Sequence, residues 1–544
     1  MNSAFYGYAK KNPGVQPYNT DTIVSGYTDK ITYNPGDSIY VYISSSAIRK
    51  HVKLYFRDIE GKMIDSVIAD LKPQTIYKNK PWENGFRFEV SFAYKLPLHM
   101  PSGIYNWENK IFVIVRNPSK HSDITIVYPT NTEQAYNEAG SKSLYDFNSI
   151  GGKANIVTFQ RPLFAYGITQ IRTYCKRFLE WIGDLGAYDI QYISDMDMDD
   201  YSQIENSKIL MVIGHSEYWT RDARINFDAF VNSGHDAIIL SGNTMWWQVR
   251  YSQDKTKLIC YKDSLYDPEQ DPILKTINWT RPSLGFPPLG SIGVDFEHGA
   301  YGMMFYHGWQ GYKVLKSRSP LLAGTGLDFH QIISCQSEEY DGALLNGFNL
   351  MDDPILDTTS LGFCKMELIG YDWGKSIYAT GPQKSYGTFI AFKKFPGSGN
   401  VINVGFSNWC AKNGGQGAMG GFGDKDSTII KQITLNMINT LLEGNTIFTE
   451  PNDCLALSEN TKTISVNLYP NPSHGNIVFT SNVAFPSGTL LKIYNNLGIM
   501  MLQKSVANQF GTHIEISGFP SGIYFYRIND GLKCSFEGKL IKID

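Results

Sequence analysis

His215 and Glu217 stand two residues apart, directly after the apolar run 208–213. If strand geometry continues to this point, both side chains point to the same side of the chain. A histidine next to a carboxylate at a strand end suits a metal ligand and a neighbouring base that moves a proton. A structural role is the alternative, in which Glu217 caps the helix predicted to begin near Thr220 and His215 bonds to backbone. The spacing leaves both interpretations open.

Polar residues also follow the other strands predicted in the middle of the chain. In residues 121–445, apolar runs of strand length alternate with amphipathic helical stretches, which is typical of a mostly parallel sheet covered by helices. Ligands of such sheets bind at the carboxyl ends of the strands. The segments that follow four predicted strands are 129–137, 194–197, 214–219 and 241–244. The sequence therefore predicts one site at a single edge of a central α/β domain.

Short strands fill both ends of the chain. Residues 20–120 alternate apolar and polar side chains between turn signals, which predicts an N-terminal β-sandwich. Residues 446–463 are typical of a linker, and Gly and Pro interrupt short strands throughout residues 464–544. We therefore expect a multidomain protein that ends in an immunoglobulin-like β-sandwich.

Composition narrows the class of protein. The 544 residues are 42% hydrophobic and 19% charged, which excludes a wholly disordered chain. A net charge of −3 argues against nucleic acid or an anionic membrane as the main partner. Seven cysteines without a Cys-x-x-Cys motif argue against a disulfide framework and a thiolate zinc site. No apolar run reaches transmembrane length, and residues 1–18 lack the apolar core of a signal peptide.

The tail carries a combination of short motifs. They are Leu-Tyr-Pro-Asn-Pro-Ser at 468–473, Ile-Tyr-Asn at 493–495, Phe-Pro-Ser-Gly-Ile-Tyr at 519–524 and Gly-Lys-Leu-Ile-Lys-Ile at 538–543. Together they resemble the type A C-terminal sorting domain of the Bacteroidota type IX secretion system. The resemblance implies that the secretion machinery is a partner and that the protein is secreted or attached to the cell surface.

A second, ordered series of motifs runs through the predicted α/β domain. It comprises Asn-Thr-Glu-Gln-Ala-Tyr-Asn at 131–137, Lys-Ser-Leu-Tyr at 142–145, Phe-Gln-Arg-Pro at 159–162, His-Ser-Glu-Tyr-Trp at 215–219, Leu-Ser-Gly-Asn-Thr-Met-Trp-Trp at 240–247, Pro-Pro-Leu-Gly-Ser-Ile-Gly-Val at 287–294 and Gly-Thr-Gly-Leu at 324–327. Over roughly residues 20–445 the chain resembles the large (beta) subunit of N,N-dimethylformamidase and its relatives. This resemblance implies hydrolysis of a carbon–nitrogen bond in a small amide.

The same resemblance implies a mononuclear iron centre held by two tyrosines and one glutamate. Carried over by motif, the ligands are Glu217, Tyr136 and Tyr105, with His215 as a catalytic neighbour and Asn243 as a substrate contact. Phenolates and a carboxylate are hard oxygen donors that suit Fe(III). Such an ion polarises a substrate carbonyl and acidifies water.

At two of the matched positions, the sequence also allows a role other than the one the family implies. The family places a glutamate where this chain has Asp372, so a catalytic group there is one methylene shorter. Tyr105 ends the pentapeptide Pro-Ser-Gly-Ile-Tyr, which recurs with Tyr524 at its end in the sorting domain. The pentapeptide therefore also suits a turn that enters a strand.

A second function class stays open at this stage. The chain could be a non-catalytic secreted binding protein, for example for glycans, with Trp219, Trp246 and Trp247 as its contact surface. The sequence also leaves a homo-oligomer open.

Overall fold

The protein is β-rich and multidomain, as predicted. The structure, a computed structural model, describes residues 23–118, 120–164, 166–302, 308–377, 384–412, 420–423, 427–450, 454, 466–481, 485, 489–506, 511–529 and 535–544. Most of the predicted linker 446–463, and the first 22 residues, lie outside this part of the chain. No helix in the described residues is long and apolar enough to cross a membrane.

The N-terminal domain consists of two sheets packed around an aromatic and aliphatic core. Residues Ile39, Val41 and Ile43 alternate along one strand, and each is fully buried, because successive side chains of a strand point to opposite faces. One sheet contains Ile23–Thr28, Ser38–Ser45 and Phe92–Lys95, and the other contains Thr32–Tyr33, Ile111–Val115, Gly103–Trp107, Arg49–Asp58 and Met63–Leu71.

The central domain is built on one 11-stranded sheet. In order across the sheet its strands are Ile190–Ser194, Ser122–Tyr128, Ser207–Gly214, Asp236–Ser241, Asn400–Asn403, Lys384–Lys393, Lys365–Lys375, Asp295–Tyr301 and Glu339–Gly342, with Gly311–Val314 and Ile332–Ser334 at the side. The first five strands are parallel to one another. The others pair antiparallel, so the sheet is mixed and only its first half is parallel.

Helices cover both faces of the parallel half. Ile209, Met211 and Ile213 of the strand Ser207–Gly214 belong to the buried cluster under the helices Lys176–Leu185 and Ser427–Leu442. Leu210 and Val212 of the same strand belong to the cluster under the helix Arg221–Asn232. Burial on both faces explains why this strand is apolar at successive positions.

Shorter elements complete the central domain. The strands Ile156–Thr158, Lys257–Ile259, Trp247–Tyr251 and Tyr218–Thr220 form a small sheet, and Leu345–Phe348 pairs with Pro354–Leu356. The remaining helices of the described chain are Pro81–Asn84, Thr130–Tyr136, Tyr166–Thr169, the π-helical Gln170–Cys175 and Leu289–Ile292. Single 3-10 turns lie at Asp146–Asn148, Asp197–Asp199, Tyr201–Gln203, Pro272–Leu274, Pro282–Leu284 and Pro320–Leu322.

The tail forms a separate pair of sheets with its own core. One contains Val466–Tyr469, Asn476–Ser481 and Gly511–Glu515, and the other contains Met500–Ser505, Leu490–Asn495, Gly522–Asn529 and Ser535–Lys542. A disulfide joins Cys364 to Cys454, which precedes this domain. The four other cysteines in the described ranges are buried and form no disulfide, so this part of the chain has one bridge rather than a framework.

Candidate active site

Two tyrosine hydroxyls converge on the carboxylate of Glu217. The Tyr145 hydroxyl lies 2.8 and 2.9 Å from the two carboxylate oxygens, and the Tyr136 hydroxyl lies 3.1 Å from Oε2. The two phenol rings pack on each other with centroids 4.4 Å apart. Glu217 is only 2% exposed. Three oxygen-bearing side chains therefore meet in a buried pocket.

The carboxyl ends of two parallel strands bring these side chains together. Tyr136 ends the helix Thr130–Tyr136, which follows the strand Ser122–Tyr128. Glu217 follows the strand Ser207–Gly214, whose last glycine has φ +73° and allows the chain to turn there. A Cβ on that glycine would lie 2.6 Å from Cys175 Sγ, so no larger residue fits. The prediction of one polar edge holds for these two segments.

The capping alternative for Glu217 is wrong. The helix Arg221–Asn232 is capped by Thr220, whose Oγ1 accepts a hydrogen bond of 3.1 Å from the Ala223 amide. The side chain of Glu217 instead faces the two tyrosines.

His215 faces a second carboxylate. Its Nε2 lies 2.9 Å from Oε2 of Glu339 and 3.6 Å from Oε2 of Glu217. Burial lowers the pKa of His215, but the charge and hydrogen bond of Glu339 and the charge of Glu217 together outweigh burial and raise the pKa to about 9. His215 is therefore protonated at neutral pH and can donate a proton. Its Nε2 faces two carboxylates, so the alternative of a bond to backbone does not describe this nitrogen.

Lys262 supplies a second positive charge to the cluster. Its Nζ lies 3.4 Å from the ring centroid of Tyr145 and 5.1 Å from that of Tyr218. Burial lowers the pKa of Lys262 to about 8, although Glu217 opposes this effect. Burial and the charge of Glu217 raise the pKa of Tyr136 and the pKa of Tyr145 well above the usual range. The phenols are neutral hydrogen-bond donors unless another positive charge enters.

Asn243 lies on a loop that packs against the backbone of Glu217. The amide of Trp246 donates to the Glu217 carbonyl at 2.9 Å, and the amide of Thr244 donates to Asp341 Oδ2 at 3.0 Å. Asn243 is 3% exposed and has a φ of +51°. Its Oδ1 is buried and accepts no hydrogen bond from the described protein atoms. The buried side-chain oxygen of Asn243 is therefore available to a hydrogen-bond donor of a bound molecule.

Tyr105 lies in the core of the N-terminal domain and does not join the cluster around Glu217. Its hydroxyl donates to the Pro101 carbonyl at 2.9 Å, and its ring packs on Phe56. In the repeated pentapeptide of the tail, the Tyr524 hydroxyl donates to the Pro520 carbonyl at 2.7 Å. The same five residues make the same hydrogen bond in two domains. In both, the turn folds the tyrosine ring back over the proline that begins the pentapeptide. The turn interpretation therefore describes Tyr105.

Asp372 holds a turn and likewise does not join the cluster around Glu217. Its carboxylate accepts hydrogen bonds of 2.7 Å from the Trp309 amide, 2.9 Å from the Gly311 amide and 2.7 Å from the Tyr340 hydroxyl. These donors occupy both carboxylate oxygens. Asp372 thus fixes the backbone at Trp309 and Gly311 and the hydroxyl of Tyr340.

The three tryptophans do not form a common contact surface. Trp219 is fully buried, and its indole nitrogen donates to the Ser216 carbonyl at 3.1 Å. Trp246 and Trp247 are half-buried. No described feature of these rings favours glycan binding over a structural role.

Sequence reasoning missed four members of the cluster. Tyr145 and Tyr218 lie within quoted motifs, so their phenols were detectable as further candidates. Lys262 and Glu339 stand far from those motifs and carry no local signal. Only the fold brings these two charges to Glu217.

The side chains of the cluster around Glu217 that could bind a metal ion carry oxygen atoms. Within the described ranges, no group of three or more His, Cys, Asp and Glu side chains is placed to hold a metal ion. A set of Tyr136, Tyr145 and Glu217 has one carboxylate and two phenols, which are hard donors suited to a highly charged ion.

Comparison with known proteins bears on both domains. A family model described as N,N-dimethylformamidase beta subunit-like, C-terminal, matches residues 66–414. A model described as secretion system C-terminal sorting domain matches residues 467–543. No curated protein matches the chain. The first match includes every residue of the cluster around Glu217, and both resemblances drawn from the sequence are confirmed.

Proposed function

Since the chain belongs to the N,N-dimethylformamidase beta subunit-like family, we propose that it hydrolyses the carbon–nitrogen bond of a small amide at the cluster around Glu217. The observation that carries this proposal is the convergence of two phenols on one buried carboxylate beside a His–Glu pair. The sorting domain makes the protein a secreted or cell-surface protein. The type IX machinery is accordingly its partner in export.

Iron(III) is the proposed cofactor, and the residues present fit it. Tyr136, Tyr145 and Glu217 would hold the ion, so Tyr145 takes the place that motif matching gives to Tyr105. Loss of both phenol protons would give three negative oxygens, which suit a trivalent ion. When bound, the ion supplies a Lewis acid that polarises an amide carbonyl and lowers the pKa of water.

Three side chains near the proposed ligands would transfer a proton and orient the substrate. His215 lies within 3.6 Å of a Glu217 oxygen, so it can deliver a proton to a leaving amine beside the donors. Glu339 holds the ring of His215 through Nε2 and favours its charged form. Asn243 would orient the amide group of the substrate, since its side-chain oxygen is buried without a protein partner.

Iron content and amide hydrolysis test this proposal together. We expect the purified wild-type chain to hold about one iron and to show a visible tyrosinate-to-iron absorption band. Tyr145→Phe and Tyr136→Phe should each lose iron and the band, and Glu217→Gln should lose iron. Release of amine from a panel of small amides should fall in the same variants.

Tyr105→Phe is the matched control, because the same change is made to a phenol outside the cluster. It should keep iron, colour and hydrolysis. Iron absent from the wild-type chain grown with ample iron, together with no hydrolysis of any amide, would refute the function and leave the export assignment intact.

A further inference from the structure

The first strand of the sorting domain lies on the central domain through Tyr469. The Tyr469 ring stacks on Phe286 with centroids 4.8 Å apart and an angle of 29° between the planes. The guanidinium of Arg221 lies 5.7 Å from the centre of the Tyr469 ring. The phenol oxygen of Tyr469 is buried. A large side chain of one domain therefore fills a pocket of the other.

The pocket is a built part of the central domain. Arg224 lies 4.0 Å from the Phe286 ring and donates to the Phe286 carbonyl at 2.5 Å and to Ser291 Oγ at 2.7 Å. Arg221 donates to the carbonyls of Ile273 and Leu284 at 3.0 Å each. Both guanidinium groups are thus held in place by backbone oxygens of their own domain. We call the site formed by Arg221, Arg224 and Phe286 the Tyr469 pocket.

Further contacts surround this pocket. Val478 of the sorting domain belongs to the same buried cluster as the apolar face of the helix Arg221–Asn232. A Cβ on Gly285 would lie 2.9 Å from Cβ of Pro470, so the two backbones approach closely there. Other contacts between the domains are polar: His513 Nε2 lies 3.3 Å from Asp222 Oδ1, and Asn476 donates to Asp271. The interface combines an apolar centre with a polar rim, as stable protein interfaces do.

We infer that the Tyr469 pocket is a binding site for the Tyr469–Pro470 segment, and that it holds the sorting domain on the central domain without a covalent link. Cys454, which lies within the predicted linker 446–463, is held separately by its disulfide with Cys364. Both flanks of residues 455–465 are therefore attached to the central domain. A cut within that segment would leave the sorting domain bound through Tyr469.

A cleavable version of the full chain tests this inference. A recognition sequence for a site-specific protease is placed within residues 455–465, the chain is cut, and the fragments are run on gel filtration with and without a thiol reductant. We expect the two fragments to elute together. Tyr469→Ala, which empties the pocket, should make them elute separately.

Two further variants make the result decisive. Phe286→Ala alters only the central domain, so separation of its fragments cannot come from misfolding of the sorting domain. Tyr494→Ala is the matched control, since Tyr494 lies on the four-stranded sheet beside Phe525 and Lys539, and its fragments should stay together. Separation of the parent fragments, or co-elution of both the Tyr469→Ala and the Phe286→Ala fragments, would overturn the inference. Neither readout depends on iron or hydrolysis.

Discussion

Replacing Tyr145 by Phe should damage the candidate active site more than the same change at Tyr105. The Tyr145 hydroxyl contacts both oxygens of Glu217 and accepts the Tyr218 hydroxyl at 2.6 Å. Its removal deprives a buried carboxylate of a hydrogen bond worth about 1.5–3 kcal/mol and leaves the Tyr218 hydroxyl without its acceptor. Tyr105 makes one hydrogen bond to a carbonyl, so its loss costs about 1 kcal/mol of stability in the N-terminal domain.

The effect on iron follows from the same geometry. Loss of a group that only orients a ligand reduces metal affinity about 10- to 100-fold. Tyr145 is a proposed ligand, so Tyr145→Phe should lower iron affinity by more than about 100-fold. Tyr105→Phe should leave iron affinity unchanged.

Both variants are measured in one assay. Each is dialysed against a series of iron-buffered chelator solutions, and bound iron and the visible band are recorded with a circular dichroism melt of the same sample. If Tyr105→Phe loses iron while Tyr145→Phe keeps it, the ligand set argued from the geometry is wrong.

Three more predictions follow from buried contacts. Gly242→Ala should destabilise the fold by about 1–3 kcal/mol and reduce bound iron, because a Cβ there would lie 2.7 Å from the Glu339 carbonyl. Urea unfolding measures the first effect, and the iron content of the purified variant measures the second. Asp372→Asn should lower the melting temperature while the protein keeps iron, since an amide group cannot accept all the hydrogen bonds that this carboxylate accepts. Burial opposes ionisation of Asp353, but bonds from Lys313 and other groups hold its pKa at about 2. Because this folded-state pKa is below the unfolded value of about 3.9, its stabilisation of roughly 2 kcal/mol is present at neutral pH and lost between about pH 4 and pH 2. Asp353→Asn should flatten that part of the pH dependence of urea unfolding.

Local pattern predicts the parts of this fold that depend on neighbours in the chain. The strand Ser207–Gly214 is apolar at successive positions, and it is buried on both faces as that pattern indicates. The polar residues after it lie at the sheet edge, where Glu217 meets Tyr136. The edge of the antiparallel half has no comparable local signal. There, Asp295–Tyr301 pairs with Glu339–Gly342 although two other strands lie between them in the chain.

Tyr105 and Tyr145 show why motifs alone do not identify the residues of the site. Tyr105 and Tyr145 are the same residue type, and each ends a short recognisable string. What separates them is the hydrogen bond that each hydroxyl makes: Tyr105 bonds to a carbonyl four residues earlier, whereas Tyr145 bonds to a carboxylate 72 residues away. The first bond follows from the turn itself, so its recurrence in the tail was a usable warning. The second depends on the tertiary fold.

Glu339 reaches His215 because a glycine allows two backbones to touch. The strand Glu339–Gly342 is the last in the order of the sheet, yet its first residue lies against the end of the strand Asp236–Ser241. A Cβ on Gly242 would lie 2.7 Å from the carbonyl oxygen of Glu339, so a side chain there would displace the backbone that carries the Glu339 carboxylate. Gly242 thus allows Glu339 to approach His215, which lies 27 residues before the glycine, and Glu339 in turn raises the pKa of His215. The chemistry of this edge is set by the absence of a methyl group as much as by the charged residues around it.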